Sequence, residues 1–211
     1  MEPFAIAEES ALRDRYRSPS PAVVAKARPR VDPEAATFLS ASPLMVLATT
    51  SESGTDASPR GGPPGFVTVL DETHIAFGDL AGNNRLDSYA NLIAHPEVGT
   101  IFFVPGVDET LRINGRAQVT TDPSVLARTE IDGRVPKVAV VIEVAECYIH
   151  CAKAIRRSGV WQPDTWMSDD ERPSAARVIV DQFSLDIDPA KIEASLEADY
   201  RATLWESGGR E

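Results

Sequence analysis

The sequence has no apolar run that approaches the roughly 18 residues needed for a membrane-spanning helix. Its first ten residues are acidic and lack the basic start and apolar core of a secretory signal. We therefore expect a cytoplasmic protein with no membrane partner. The formal net charge of -11 also opposes general attraction to nucleic acid, because the summed field repels phosphate.

Cysteine and histidine are scarce, with two and three residues respectively. Cys147 and Cys151 flank His150, but a structural zinc site usually needs four ligands and no second Cys/His pair is present. Two thiols also cannot form a disulfide framework. We expect no metal site and two reduced, partly buried cysteines.

The motifs of several large enzyme classes are missing as well. The sequence contains no G-x-S-x-G, P-loop or zinc-protease motif, so neither a hydrolase nor a nucleotide triphosphatase has sequence support. The 211 residues, 43% hydrophobic and 25% charged, fall in the range of ordinary globular proteins. One folded core with decorated ends is the expectation.

Proline positions and periodicity divide the chain into three parts. Residues 1–31 form a proline-interrupted arm with short helical pieces, and Asp32 caps a helix that should end before Ser42. Residues 32–168 form the main domain. Residues 169–211 form a helical extension, because the apolar residues recur at four-residue steps: Ile192, Leu196, Tyr200 and Leu204.

The main domain has strand patterns joined by short turns, which favours an antiparallel barrel: a mainly β fold with flanking helices. One helix interrupts the strands, beginning at Asn84 and ending near His95. In segment 109–119 apolar and polar residues alternate, so one face should be core and the other solvated. The predicted strands are 44–50, 66–70, 74–77, 98–104, 109–119 and 138–144.

Four segments carry residues suited to binding chemistry, and each also has a purely structural interpretation. Segment 58–65 is rich in glycine and proline and fits either a ring laid against the main chain or a wide turn. Segment 109–112 begins the alternating strand and presents a polar edge or a solvent face. Segment 150–158, followed by Trp161, is a local basic spot or a solvated helix face.

The fourth segment, 79–88, lies where a strand ends and the predicted helix begins. Backbone amides of a first helical turn favour an anion, and Arg85 adds a charge-assisted donor. The alternative is an asparagine N-cap beside a solvated arginine.

Together these segments resemble the pyridoxamine 5'-phosphate oxidase-like family, and in particular its branch of FMN-dependent enzymes with unassigned substrate. The resemblance covers roughly residues 32–166, and four motifs in the same order are more specific than any one of them. The motifs are SPRGG (58–62), AGNNRLDS (81–88), ETLRINGRA (109–117) and YIHCAKAIRRSGVW (148–161).

The resemblance implies an antiparallel split β-barrel that forms a homodimer with two FMN sites at its interface. In this arrangement a strand beginning at Arg60 runs beside the flavin, and Asp79 ends the next strand. The partner chain would complete each site through Lys153, Arg157 and Trp161. The implied cofactor-binding residues are Arg60, Gly61, Asp79, Asn83, Asn84, Arg85, Ser88, Thr110, Lys153, Arg157 and Trp161.

The implied function is an FMN-dependent oxidoreductase acting on an unidentified small molecule, with NADH or NADPH as a candidate partner. No acid or base residue is required, so no catalytic residue is named. The chain ends without the Arg-Leu-His-Asp-Arg-like segment of the vitamin-biosynthetic oxidase, which makes pyridoxamine phosphate a doubtful substrate. The alternative is a non-catalytic flavin- or haem-binding module on the same barrel.

Overall fold

The computed structural model describes residues 4–206, and an antiparallel sheet of seven strands forms their centre. The strands are β1 (Leu44–Ser51), β2 (Gly54–Gly61), β3 (Val67–Asp71), β4 (His74–Gly78), β5 (Glu97–Phe103), β6 (Thr110–Thr120) and β7 (Ala139–His150). Their order across the sheet is β2-β1-β5-β6-β7-β4-β3. The edge strands β2 and β3 do not pair with each other, so the barrel is split, and the predicted fold class is confirmed.

Helices flank the sheet and occupy both ends of the described chain. They are α1 (Glu9–Arg13), α2 (Pro21–Ala25), α3 (Pro33–Ala41), α4 (Asp87–Ala94), α5 (Pro123–Arg128), α6 (Lys153–Ser158), α7 (Ala175–Gln182) and α8 (Pro189–Thr203). Short 3-10 turns at Pro163–Thr165 and Asp169–Glu171 connect α6 to α7. None of the helices in residues 4–206 is long and apolar enough to cross a membrane.

The core lies between the sheet and the helices α3 and α4, where the inward residues of each strand meet. Alternation along β1 buries Met45 and Leu47, and α3 contributes Leu39. The Asp32 side chain accepts a hydrogen bond from the Ala35 amide at 2.9 Å, which confirms the predicted cap. α3 ends at Ala41, as the Ser42-Pro43 pair predicts.

Strand β2 corrects the prediction that a strand begins at Arg60. The strand begins at Gly54 and ends at Gly61, so the first half of the glycine- and proline-rich segment is strand. β2 is an edge strand and pairs with a neighbour on one side only. The missing amide donor of Pro59 is therefore tolerated there.

The other strand differences concern β6 and β7. β7 continues to His150, six residues beyond its predicted end at Val144, because its second half pairs with the first half of β6. Thr110 was expected on a solvated face, yet it is buried at the start of β6 beside His150. The C-terminal helix α8 is present as predicted, but none of its residues is buried.

The cysteines differ in their surroundings. Cys147 is buried in β7 and Cys151 is exposed after it, and both are free thiols. Burial, with a smaller contribution from the Asp32 charge, raises the pKa of the Cys147 thiol to about 11, so this thiol stays protonated and inert at neutral pH. Among the described residues, no three His, Cys, Asp or Glu side chains are grouped so as to hold a metal ion.

A β-bulge interrupts the longest strand pair at Gly115. Asn114 pairs with Glu146 and Gly115 with Val144, so Ala145 has no opposite residue. A Cβ atom on Gly115 would overlap the carbonyl oxygen of Glu143. Backbone cannot move aside as a flexible side chain can, so glycine is required here for steric reasons.

We therefore predict that Gly115→Ala lowers the free energy of unfolding by about 2 to 3 kcal/mol, because the added methyl group forces the β6–β7 ladder apart. Urea denaturation followed by circular dichroism measures the change. Gly82→Ala is the matched control, since its new Cβ would meet only a carbonyl oxygen at 4.0 Å. Equal stability of the two variants would contradict the steric account of the bulge.

Candidate functional site

A cavity of about 580 Å³ lies between the edge strand β2 and the start of α4. Its lining consists of Asp56, residues 58–61, Phe66 and residues 77–89. The segment 79–86, which we call the β4–α4 loop, supplies one wall. The predicted motifs at 58–62 and 81–88 therefore lie on one cavity, although some 20 residues separate them in the chain.

Strand periodicity builds the wall formed by β2. Asp56, Ser58 and Arg60 are half-buried, and the residues between them are exposed, so the first three share the face that lines the cavity. Arg60 donates a hydrogen bond to the Pro59 carbonyl oxygen at 2.9 Å. Ser58 reaches across to Ser88 on α4, with their hydroxyl oxygens 3.1 Å apart.

The glycines that follow β2 are explained by packing. A Cβ on Gly62 would lie 2.6 Å from the Phe66 Cβ. Gly65 has a φ of 83°, and a Cβ added to it would lie 3.2 Å from the Ser40 carbonyl oxygen. These two glycines let the turn pass close to its neighbours, so their presence does not itself require a ligand. Gly61, in contrast, lines the cavity.

The β4–α4 loop owes its shape to two residues in the left-handed region. Asn84 and Leu86 both have a φ of 58°, and the Asn83 side-chain oxygen accepts a hydrogen bond from the Arg85 amide at 3.1 Å. The sequence prediction of a helix from Asn84 is therefore wrong. The helix begins at Asp87, because left-handed residues cannot continue a right-handed helix.

This later start changes the electrostatics of the site. Asn83, Asn84 and Arg85 lie in the loop and not in a first helical turn, and Leu86 provides no side-chain cap. Asp87 occupies the first turn and receives a hydrogen bond from Arg85 Nε at 2.7 Å. The side chains of Arg85 and Asp87 are 73% and 51% exposed. Water therefore reaches this ion pair, and Arg85 can leave Asp87 for another anion.

A hydrogen bond joins Asp79, the first residue of the β4–α4 loop, to Tyr89 in α4. The Tyr89 hydroxyl donates to Asp79 Oδ1 at 2.6 Å, and the Arg60 guanidinium lies 6.0 Å from the centre of the Tyr89 ring. Burial, reinforced by the hydrogen bond to Asp79, raises the pKa of the Tyr89 phenol far above its usual value, with Arg60 opposing weakly. Tyr89 is thus a fixed, neutral donor.

The structure brings most, but not all, of the predicted cofactor-binding residues together. Those that line the cavity are Arg60, Gly61, Asp79, Asn83, Asn84, Arg85 and Ser88. Those that lie elsewhere on this chain are Thr110, Lys153, Arg157 and Trp161. The Trp161 indole nitrogen donates to the Val107 carbonyl oxygen at 2.9 Å, while Lys153 and Arg157 are exposed on α6.

Sequence reasoning missed four polar residues of the cavity: Asp56, Ser58, Asp87 and Tyr89. Tyr89 fitted the apolar stripe of the predicted helix, so its burial was foreseeable but its hydroxyl contact was not. The alternation of β2 would have placed Ser58 beside Arg60 if the strand had been recognised. Asp87 was not predicted as a cavity residue, because the helix was predicted to begin at Asn84 and it begins at Asp87.

The lining offers donors to an anionic group of a flat ligand, beside three carboxylates, of which Asp79 accepts from Tyr89 and Asp87 accepts from Arg85, while Asp56 is the third. Two guanidinium groups, two serine hydroxyls and two asparagine amides supply hydrogen-bond donors, while Phe66, Phe77 and Leu80 supply apolar surface. The donors from the loop and the donors from β2 lie on different walls, so they can contact different parts of one ligand.

Comparison with known proteins gives a match to one family model. The model described as pyridoxamine 5'-phosphate oxidase matches residues 31–151, which is more than half of the chain and includes β1 to β7. No curated protein sequence matches the chain.

Several solved structures are similar to parts of the chain. HupZ of Group A Streptococcus is 16% identical, with 56% of this chain and 93% of HupZ covered and a TM-score of 0.46. An FMN-binding protein from Syntrophomonas wolfei is 12% identical, with 56% and 85% covered and a TM-score of 0.43. General stress protein 26 of Bacillus anthracis is 11% identical, with 54% and 88% covered and a TM-score of 0.41.

The family match spans the whole sheet and the cavity that β2, β4 and α4 enclose. It agrees with the split antiparallel topology and with the resemblance carried by the four sequence motifs. The chain therefore belongs to the pyridoxamine 5'-phosphate oxidase family.

Proposed function

We propose that the protein binds FMN in the cavity between β2 and the β4–α4 loop and acts as an FMN-dependent oxidoreductase on a small molecule. The observation that carries this proposal is the convergence of donors from two separate motifs on one cavity of suitable size. Neither motif alone distinguishes a ligand site from an ordinary loop.

The phosphate of FMN would lie at the β4–α4 loop. A dianion cannot be held by the overall field of a protein with a net charge of -11, so it needs local donors. Arg85 is the strongest of these, with Asn83 and Asn84 beside it. Its partner Asp87 is half-exposed, so the guanidinium can turn toward a phosphate while the aspartate is solvated by water.

The ring of FMN would lie nearer β2. Arg60 is held over the Tyr89 ring and bonded to the Pro59 carbonyl, so its charge has a defined position above this wall. Tyr89 and Asp79 fix each other, which keeps the wall rigid. Bound FMN would supply two-electron hydride chemistry, and these residues would bind and orient it. We assign no catalytic residue.

A homodimer is part of the proposal. A cavity open on one side leaves a flavin partly uncovered, and a two-fold partner is the commonest way to cover such a surface. Thr110, Lys153, Arg157 and Trp161 lie away from the cavity of their own chain, which is compatible with their contributing to the site of a partner.

The competing function is a module that binds a flavin or haem without turnover. The described lining of the cavity contains no His, Cys or Met to serve as an axial haem ligand, and its Tyr89 hydroxyl is already committed to Asp79. This lining favours a flavin over haem. It does not separate a flavin enzyme from a flavin carrier, so a kinetic experiment is needed.

We predict that Arg85→Ala weakens FMN binding roughly ten- to a hundredfold, because a charge-assisted contact to phosphate contributes about 1.5 to 3 kcal/mol. The fold should be unaffected, since Arg85 is exposed. Fluorescence titration of the apo-protein with FMN measures the loss.

Riboflavin, which lacks the phosphate, should bind wild type and Arg85→Ala almost equally. Arg13→Ala is the control variant, because Arg13 is an exposed residue of α1 outside the cavity. If Arg85→Ala binds FMN as tightly as wild type, or weakens riboflavin to the same degree, the phosphate position is wrong.

We also predict that anaerobic mixing of the FMN-loaded protein with NADH or NADPH bleaches the visible flavin bands, because an oxidoreductase must accept electrons from a donor. Stopped-flow absorbance follows the reaction. Free FMN at the same concentration is the control for uncatalysed reduction. A flavin that stays oxidised with both donors would favour the carrier over the enzyme.

A further inference from the structure

Two segments, far apart in the sequence, expose large apolar side chains together with charges of opposite sign. The first, which we call the arm segment, comprises residues 12–17, from the end of α1 onward. The second, which we call the turn segment, comprises residues 181–188 and joins α7 to α8. Every residue of both segments is exposed in the structure.

The arm segment is apolar and basic. The Tyr16 amide donates a hydrogen bond to the Arg13 carbonyl oxygen at 3.0 Å, which continues the turn after α1. Leu12 and Tyr16 are four positions apart and so lie on one side of this turn. Residues 11–30 carry six Lys or Arg and one Asp, a net charge of +5 in a chain whose net charge is -11. The arginines of the arm segment are Arg13, Arg15 and Arg17.

The turn segment is apolar and acidic. Phe183, Leu185 and Ile187 are exposed apolar side chains at two-residue spacing. The Leu185 amide donates to the Val180 carbonyl oxygen at 3.0 Å, which holds the turn against the end of α7. Residues 169–206 carry ten Asp or Glu and four Lys or Arg, a net charge of -6. The acidic residues of the turn segment are Asp181, Asp186 and Asp188.

The two segments do not cover each other within one chain. Tyr16 is 68% exposed and Phe183 is 69% exposed with both segments present in the structure. Proteins rarely expose clusters of large apolar side chains that nothing covers, and opposite charges on two such surfaces favour their association. A second copy of the chain carries both segments, so a two-fold pair of copies can cover both at once.

We propose that the arm segment of each protomer docks on the turn segment of its partner. Leu12 and Tyr16 pack on the three apolar side chains of the turn segment, while Arg15 and Arg17 face its aspartates. This inference rests on the homodimer of the proposed function and adds which parts of the two chains meet.

The arm leaves its own sheet at a place suited to this exchange. The Arg28 amide donates to the Cys147 carbonyl oxygen at 3.2 Å, and the Cys147 amide donates to the Arg28 carbonyl oxygen at 2.7 Å. The Lys26 ammonium adds a hydrogen bond to a β7 carbonyl oxygen at 2.9 Å. Thr110, which the proposed function assigns to the partner's site, begins β6 beside the same end of β7. From Lys26, the ten residue steps back to Tyr16 span at most about 35 Å, a length that can bridge to a neighbouring protomer.

Cross-linking between chains that each carry one introduced cysteine tests the proposal. A Tyr16→Cys variant and a Phe183→Cys variant, both with Cys151→Ser, are co-expressed with different affinity tags and treated with a short bis-maleimide. The remaining Cys147 is buried and its thiol stays protonated, so it does not compete for the reagent. We expect a covalent dimer that carries both tags, because the contact joins two different chains.

The matched control replaces Phe183→Cys by Ala202→Cys. Ala202 is an exposed residue of α8, 14 positions beyond Asp188 and therefore about 21 Å along the helix from the turn segment. Co-expressed with Tyr16→Cys, this variant should give at least tenfold less covalent dimer.

A charge exchange tests the electrostatic part of the proposal. Arg15→Glu combined with Arg17→Glu should weaken the dimer roughly tenfold in sedimentation equilibrium, because like charges then face each other. Adding Asp181→Lys and Asp186→Lys to the same chain should restore wild-type dimerisation. All four side chains are exposed, so the fold should be unaffected.

An FMN-bound dimer in which Tyr16→Cys and Phe183→Cys chains cross-link no more than the control would overturn the inference and leave the proposed function standing. A chain with both substitutions that cross-links within itself as a monomer would also overturn it, since the arm would then pack on its own turn segment. Failure of the charge exchange to restore the dimer would do the same. A wild-type protein that is monomeric would instead contradict the proposed homodimer, and this inference with it.

Discussion

The hydrogen bond between Tyr89 and Asp79 is the contact on which the candidate site depends. It joins the residue after β4 to the first turns of α4, so it closes the β4–α4 loop across ten positions in the chain. Because burial raises the pKa of the Tyr89 phenol, the phenol stays neutral and remains a donor to the Asp79 carboxyl group. Asp79, Tyr89 and Arg85 all line the cavity, so this contact lies in its wall.

Electrostatics explains why the loop is built from polar side chains. A protein with a net charge of -11 repels phosphate at long range, so affinity must come from donors within contact distance. The loop carries Arg85 on the cavity, whose lining also contains the carboxylates of Asp56, Asp79 and Asp87. Asp79 accepts a hydrogen bond from Tyr89 and Asp87 accepts one from Arg85, so two of the three carboxylates have a donor within the protein.

Much of the fold was predictable from the sequence because its signals are local. The Asp32 cap and the alternation of β6 each depend on neighbouring residues, and the structure confirms the cap and, apart from the buried Thr110, the alternation. Strand β2 was missed because glycine and proline indicate a turn, whereas its edge position, which makes Pro59 tolerable, is a property of the whole sheet.

Most of the proposed cofactor-binding residues that line the cavity were predictable from the sequence, but their arrangement was not. Motif order brought Arg60 and Arg85 into one proposed site, and the structure places both on one cavity. The left-handed conformation of Leu86, which moves the helix start to Asp87, has no sequence signal, because a leucine is favoured within a helix. The hydroxyl contact of Tyr89 and the approach of α8 to the loop likewise depend on tertiary packing.

Native mass spectrometry of the purified full-length protein tests the central claim most directly, because one spectrum reports the ligand, its stoichiometry and the number of chains. The account predicts a dimer of the 22.8 kDa chain that carries two flavin molecules, each lost on denaturation. A monomer that retains flavin would contradict the shared site. A protein that carries haem, or that takes up no flavin when FMN is added, would contradict the assignment of the cavity itself.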